Sequence, residues 1–115
     1  MLCLCGVQVN AAYVPCVGIN LKTNETSVTS SYKFLDASYM YCETTSASKY
    51  KVTYQAKGSN NGSYWYTKET TSYSPNKSGR VSLTKYNHNY WKITLTGNTT
   101  DNKKKKCIAF GKISE

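Results

Sequence analysis

The sequence is poor in several residue types, and each shortage argues against a class of protein. Arg80 is the only arginine and His88 the only histidine among 115 residues. Arginine is the side chain that forks onto phosphates and guanine edges, so its scarcity argues against sequence-specific recognition of nucleic acid. A lone histidine without a Cys-x-x-Cys pair argues against a zinc site, and we expect neither a metal nor a cofactor. No apolar run approaches the ~20 residues of a transmembrane helix.

Groupings of residues that are typical of catalytic sites are also missing. The six acidic residues are scattered, and no two of them are spaced as a general acid and base. The Gly-x-Ser-x-Gly turn that would present a serine nucleophile does not occur. Cys42 and His88 could form a nucleophile–base dyad, but nothing else in the sequence supports one. We therefore expect a protein that is not an enzyme.

The residues that are abundant favour β-structure and an anionic partner. The chain has eleven tyrosines and a formal net charge of +9. Tyrosine and threonine fit half-buried strands, whereas asparagine and glycine fit turns. A surplus of positive charge attracts anionic partners but does not specify a fold. The length suits a single domain.

Two segments, Lys49–Lys57 and Tyr90–Thr96, alternate between apolar and polar side chains. This period of two marks a half-buried strand. A turn rich in glycine and asparagine at Gly58–Gly62 joins the first segment to a returning strand. We predict that the apolar sides of the two segments form the centre of the core: Tyr50, Val52, Tyr54, Trp91, Ile93 and Leu95.

Shorter patterns complete a set of about seven strands. Turn residues recur at roughly ten-residue spacing, which two packed antiparallel sheets produce. We therefore predict an all-β fold: a small antiparallel β-sandwich, immunoglobulin-like or jelly-roll-like, over residues 12–115, with an open barrel as the alternative. The other predicted strands are Val17–Leu21, Ala37–Cys42, Ser63–Glu69, Gly79–Lys85 and Cys107–Ile113, with a loop at Thr70–Ser78.

Residues 1–11 are uncharged and mostly apolar, and they end in Val9-Asn10-Ala11. Small or medium residues at these positions suit a signal peptidase, which predicts cleavage between Ala11 and Ala12. The apolar stretch is short and lacks basic residues, so we interpret it as a truncated signal peptide. The alternative is that it forms a first strand of the domain. The signal reading predicts a secreted or cell-surface protein.

The order of these segments resembles short secreted β-sandwich proteins of unknown function from Gram-positive, clostridia-like bacteria. The likeness rests on an alternating strand, an Asn-Gly hairpin that leads into Trp65, and an aromatic-basic-aliphatic strand at Tyr90–Thr96. It covers about Ala37 to Thr96. A fainter likeness is to a lactococcin type of bacteriocin, also a small secreted β-sandwich. Both imply secretion and a β-sandwich, and neither assigns a site residue.

The strongest cluster of charge is the run Lys103, Lys104, Lys105 and Lys106. It could bind teichoic acid, anionic lipid or a sulfated glycan. It could equally be a solvated loop that protects an edge strand from aggregation. In both cases we expect Lys103 to Lys105 to lie in a loop or at an edge, with all four charges solvated, because a buried unpaired ammonium is too costly.

Tyr64, Tyr66 and Tyr90 are candidates for an aromatic binding surface. Neighbouring residues of a strand face opposite ways, so either Trp65 or its two tyrosine neighbours must point outward. An outward row of aromatic rings would suit sugar rings. The alternative is that Trp65 and Trp91 belong to the core and that the exposed tyrosines only pair across strands.

Three cysteines remain if the first eleven residues are removed: Cys16, Cys42 and Cys107. In an exported protein two of them could form a disulfide, in any of three pairings. The alternative is that all three are small buried hydrophobic residues.

Two hypotheses for the function follow. The first is a secreted or cell-surface binding module, not an enzyme, for an anionic cell-wall polymer or glycan. The second is a secreted bacteriocin-like or small-toxin protein that acts on a neighbouring cell surface. The sequence indicates neither the ligand nor the oligomeric state.

The signal interpretation makes a direct prediction. Protein secreted from a Gram-positive host should begin at Ala12, because the peptidase would cut after Ala11. Mass spectrometry of the intact secreted protein measures this. Exported, folded protein that still carries Met1 would contradict it.

Overall fold

The computed structural model describes residues 14–98 and 106–115, and within these ranges every regular element is a β-strand. There are nine such strands. Accordingly, the described residues include no helix able to span a membrane. The strands are β1 (Cys16–Leu21), β2 (Ser27–Thr29), β3 (Lys33–Phe34), β4 (Tyr39–Thr44), β5 (Val52–Ser59), β6 (Tyr66–Tyr73), β7 (Lys77–Ser82), β8 (Tyr90–Gly97) and β9 (Ala109–Ser114).

The nine strands form two antiparallel sheets, which confirms the predicted all-β fold. The four-stranded sheet has the order β1-β9-β4-β7. The five-stranded sheet has the order β2-β8-β5-β6, and β3 also pairs with β8. Two of the nine, β2 and β3, are the short strands that the sequence pattern did not indicate.

The strand order shows how the chain is wound. It runs out through β1, β2, β4 and β5 and returns through β6 to β9. On the return β6 pairs with β5, β7 with β4, β8 with β2 and β9 with β1. This antiparallel ribbon is then rolled, so that β8 also meets β5 and β9 also meets β4. Such a rolled ribbon is a jelly roll, the second of the two predicted architectures.

The centre of the core lies where β5 and β8 face the other sheet. Tyr54 and Ala56 of β5 are opposite Leu95 and Ile93 of β8. Five of the six residues predicted for this centre are fully buried, and Tyr50 packs at its margin, only partly buried. The predicted alternation is therefore confirmed from Val52 to Lys57 of β5 and along β8, except that Thr94 on the polar side is also buried.

A close approach between the sheets depends on Gly111. A Cβ atom at this position would come within 2.8 Å of Ile93 Cδ1 and 2.9 Å of Leu95 Cδ1. The absence of a side chain therefore lets β9 lie directly against the apolar side of β8. Nearby, the Tyr54 hydroxyl is satisfied inside the core by Thr44 Oγ1 at 2.6 Å. Burial raises the pKa of Tyr54, which keeps it a neutral phenol.

The structure corrects several predicted boundaries. The predicted loop at Thr70–Ser78 was wrong at both ends, since β6 continues to Tyr73 and β7 begins at Lys77. Thr70 and Ser72 of β6 and Ser78 of β7 are exposed on edge strands, where polar side chains are compatible with pairing. The final strand is Ala109–Ser114 and thus begins two residues after Cys107.

The predicted disulfide among Cys16, Cys42 and Cys107 was wrong. Cys42 and Cys107 are both buried free thiols, so none of the three pairings forms. Burial raises the pKa of Cys42 to about 12 and also raises that of Cys107. Both side chains behave as small apolar residues of the core.

Only one residue of the lysine run is within the described residues. Lys106 is exposed, and its backbone carbonyl accepts a hydrogen bond from the Lys49 amide at 2.8 Å. It lies outside any strand, as predicted. The predictions for Lys103, Lys104 and Lys105, and for residues 1–11, fall outside the described residues.

The burial of Leu95 leads to a stability prediction. Leu95→Ala should lower the free energy of unfolding by about 2–5 kcal/mol, the usual range for a buried leucine, because the cavity would open between the sheets. Thr96→Ala, one residue further along on the outer face, should cost less than about 1 kcal/mol. Urea denaturation of both variants measures the difference. A loss below about 0.5 kcal/mol for Leu95→Ala would contradict the register of β8.

Candidate functional site

An exposed group of aromatic rings covers one end of the outer face of the five-stranded sheet. We call Tyr32, Phe34, Trp65 and Tyr90 the aromatic surface. The ring centroids of Tyr32 lie 5.5 Å from Trp65 and 5.8 Å from Tyr90, and Phe34 lies 5.5 Å from Tyr90. The rings meet edge to face or tilted, arrangements that aromatic quadrupoles favour. Tyr32 is 54% exposed and Phe34 is 67% exposed.

The alternation of β8 explains why the ring of Tyr90 lies on the outer face. Trp91 is fully buried, so its neighbour Tyr90 must face outward. Phe34 of β3 is directly opposite Tyr90 in the antiparallel register and therefore shares its face. Leu35 follows, buried, with its amide bonded to the Asn89 carbonyl at 3.0 Å.

Tyr32 lies in the connection between β2 and β3, which is tied to β8 by hydrogen bonds. The Ser30 amide donates to the Ile93 carbonyl at 2.9 Å, and the Ile93 amide donates to Ser30 Oγ at 3.0 Å. Because Ser30 is itself buried, this pair fixes the connection against the sheet. The Tyr32 ring is thereby held beside Tyr90 and Trp65.

Trp65 is positioned by the turn that joins β5 and β6. Asn61 Oδ1 accepts from the amides of Ser63 at 2.8 Å and Tyr64 at 3.0 Å, an Asx turn. Gly62 has a φ of 76°, which glycine adopts without strain. The chain then enters β6 with Trp65 on the outer face, where its ring meets Tyr32.

Two lysines border the aromatic surface. Lys57 of β5 and Lys92 of β8 are direct cross-strand neighbours. The Nζ of Lys92 lies 4.2 Å from the centroid of the Trp65 ring, a cation–π contact worth about 0.5–1 kcal/mol at an exposed site. In the described part of the chain no acidic residue occupies an outward position of β2, β3, β5 or β8. We call Lys57 and Lys92 the lysine pair.

The other end of the same face carries hydroxyl and amide groups. Outward from the lysine pair lie two rows that cross the sheet, which we call the hydroxyl rows. Thr29 and Thr94 bond through their hydroxyls at 2.9 Å, Ser27 and Thr96 at 3.3 Å, and Thr53 and Ser72 at 2.9 Å. By the strand register the nearer row is Thr29, Thr94, Gln55 and Thr70, and the farther row is Ser27, Thr96, Thr53 and Ser72.

A second group of rings, which we call the edge cluster, lies at the edge of the sandwich beside β6. It consists of Tyr66, Lys68, Tyr86 and His88. Lys68 Nζ lies 5.2 Å from the Tyr66 ring and 5.8 Å from the Tyr86 ring. The Tyr86 hydroxyl donates to the Glu69 carboxylate, which holds the pKa of Glu69 below its usual range.

His88 connects the edge cluster to the core. A Cβ at Gly58 would come within 3.0 Å of the imidazole, so the glycine makes room for it. The ring lies 5.8 Å from Trp91, whose indole N–H donates to the His88 carbonyl at 3.1 Å. Burial, and then the charge of Lys68, lower the pKa of His88.

The predicted site residues are therefore divided between different places. Tyr90 belongs to the aromatic surface, and Tyr66, 56% exposed, belongs to the edge cluster. Tyr64 is 73% exposed in the turn before β6. Binding by any of them remains a prediction.

Sequence reasoning missed the greater part of the aromatic surface. Tyr32 precedes and Phe34 ends a two-residue strand, which is too short to show alternation. The sequence left open whether Trp65 or its two tyrosine neighbours point outward, and the structure places Trp65 half-buried on the outer face. The lysine pair was visible as the polar side of the two alternating strands, but its adjacency depends on the register of β5 with β8.

The described residues form shallow depressions and include no metal-binding cluster. Two of these depressions have volumes of about 370 Å³ beside Asn20 and about 340 Å³ beside Thr45. No group of three His, Cys, Asp or Glu among these residues is placed to hold a metal ion. The arrangement on the outer face is suited to binding an extended ligand on an open surface.

The contact between His88 and Trp91 makes a pH prediction. With Trp65→Phe as background, Trp91 fluorescence should titrate with a midpoint below about 6.5, the ordinary pKa of histidine. Lys68→Gln should move this midpoint upward, because it removes a repelling charge. Since the fold disfavours the protonated imidazole, the free energy of unfolding should also decrease as pH falls below about 6.5. A midpoint that Lys68→Gln leaves unchanged would contradict this account.

Comparison with known proteins relates the chain to others by fold. No protein-family model matches it, and no curated protein matches its sequence. It is similar to the crystal structure of PirA, with a TM-score of 0.58, 10% identity, and coverage of 93% of this chain and 98% of that one. The Yersinia pseudotuberculosis-derived mitogen YPM aligns over 88% of this chain and 83% of its own, with a TM-score of 0.49 and 10% identity. At this identity the likeness to PirA shows a shared fold alone.

Proposed function

We propose that the protein is a secreted or cell-surface binding module, not an enzyme, that recognises an anionic glycan of the cell envelope. The observation that supports this is the juxtaposition of four exposed or half-exposed aromatic rings with two lysines on an outer face where the described strands β2, β3, β5 and β8 carry no carboxylate.

The aromatic surface has the properties that stacking against sugar rings requires. Its rings are large, those of Tyr32, Trp65 and Tyr90 carry a polar group at one edge, and neighbouring rings pack at centroid distances of 5.5 to 5.8 Å. Because they are already held in place, little side-chain entropy is lost when a ligand arrives. Phe34 offers no hydroxyl to water, so its exposure favours a ligand with an apolar face.

The lysine pair favours a negatively charged ligand. Lys57 and Lys92 lie side by side, so an anionic group placed between them relieves their mutual repulsion. Each lysine near an anionic surface contributes about 1 kcal/mol, and the pair therefore about 2 kcal/mol. Micromolar affinity needs about 8 kcal/mol, so the aromatic surface must supply most of the rest.

The alternative function, a bacteriocin-like or small-toxin protein acting on a neighbouring cell, requires the same recognition step. Such a protein must first bind the target surface, and the aromatic surface would serve that purpose equally. It differs in its consequence, which is growth inhibition of the recognised strain.

The proposal is tested by retention on purified Gram-positive cell wall. Tyr32→Ser should weaken retention at least tenfold, because it removes the ring that joins Trp65 to Tyr90. Tyr66→Ser is the matched control: Tyr66 is equally exposed but lies in the edge cluster, so retention should change less than twofold. Equal losses in the two variants would contradict the aromatic surface as the site.

The charge contribution is tested by the dependence of retention on salt. Lys57→Gln with Lys92→Gln should weaken retention at low salt and flatten its decline as salt rises. The control Lys49→Gln with Lys77→Gln removes the same charge from exposed positions elsewhere. In this control the contribution of the lysine pair to retention and to its salt dependence should remain. If replacement of Lys103–Lys106 by serine is sufficient by itself to abolish retention, the site is on the lysine run instead.

Killing of a related strain would favour the toxin alternative.

A further inference from the structure

We infer that the ligand is a linear acidic polysaccharide, which lies along β8 from the aromatic surface across the lysine pair onto the hydroxyl rows. This rests on the proposed function and adds a second subsite to it. The hydroxyl rows would bind the sugar units that follow the stacked and charged ones, so affinity should increase with the length of the chain.

The continuity of the face supports an extended site. Tyr90, Lys92, Thr94 and Thr96 are the successive residues on the outer side of β8, and all but Thr94 are half-exposed. Outward residues of one strand are about 7 Å apart, so these four span about 20 Å. The neighbouring strand β5 carries similar side chains in the same order. Its outward residues Lys57, Gln55 and Thr53 lie opposite Lys92, Thr94 and Thr96 of β8. A chain that enters at the aromatic surface therefore meets polar groups for the rest of its length.

The hydroxyl rows have bonding capacity left for a ligand. In the pair Thr29 and Thr94, one hydroxyl donates to the other at 2.9 Å, and because Thr94 is only 6% exposed, it is the exposed Thr29 that presents the pair to a ligand. The second hydroxyl keeps its proton to donate, and both oxygens keep acceptor capacity. Gln55 and Thr70 add an amide and another hydroxyl in the same row. Sugar hydroxyls are both donors and acceptors, which matches this mixture.

The same rows suit other ligands poorly. A protein partner would need an apolar centre to its interface, and the rows present short polar side chains. A purely electrostatic ligand would gain nothing from the rows, because they carry no charge. The graded order of rings, cations and hydroxyls along one strand is thus best matched by a polymer whose units combine ring, acid and alcohol groups.

The inference is tested with uronic-acid oligosaccharides of defined length, titrated calorimetrically against the full chain. The wild type should bind a hexasaccharide at least tenfold more tightly than a disaccharide. Thr29→Val with Thr94→Val should remove most of this gain and leave the disaccharide affinity unchanged. Both partners of the hydroxyl bond are replaced together by isosteres, so no unpaired polar group is left and the fold should be kept.

Controls separate failure of this inference from failure of the proposed function. Ser82→Ala with Thr84→Val removes a comparable hydroxyl pair at 3.1 Å outside the candidate face and should change neither affinity. Equal affinities for the two lengths, or equal loss of both in the Thr29/Thr94 variant, would overturn the second subsite. In that event the proposed function still stands if Tyr32→Ser weakens binding of the disaccharide. Absence of binding at both lengths would overturn the two together.

Discussion

The burial of alternate residues of β8 is the constraint on which the candidate site depends. Trp91, Ile93 and Leu95 are fully buried between the sheets, and their burial forces Lys92 and Thr94 onto the outer face, where Thr94 is itself covered beside Thr29. A slip of one residue would exchange the two sets and place Lys92 in the core, at a prohibitive cost for its charge. The core thereby determines which side chains form the candidate surface, because the packing that stabilises the fold also orders the rings, lysines and hydroxyls on the outer face.

Local patterns predicted the parts of the fold that repeat over several residues. The bounds of β8 were predicted almost completely, because its bulky apolar residues alternate with polar ones without interruption. β5 was predicted three residues early, since Tyr50 continues the alternation into a segment that is not a strand and lies at the margin of the core. The two-residue β3 shows no period at all, so Phe34 and its partner Tyr32 could not be recognised as part of a surface.

The remaining features depend on pairing between distant segments, which no local pattern records. The jelly roll brings Thr29 beside Thr94 and Phe34 beside Tyr90, across separations of more than fifty residues. A sandwich could be predicted from strand number and spacing, but the choice between its architectures lies in strand order. The free thiols of Cys42 and Cys107 show the same limit, because cysteine number alone permitted a bridge that the fold does not make.

The position of β9 has a consequence for how the chain is made. β9 lies between β1 and β4 and bonds to both, so the four-stranded sheet is in two parts until residues 109–114 have joined it. Most of a nascent chain therefore lacks a completed partner sheet to cover Trp91 and Leu95. The two-sheet core is therefore completed only after residues 109–114 have been synthesised and have paired with both neighbouring strands.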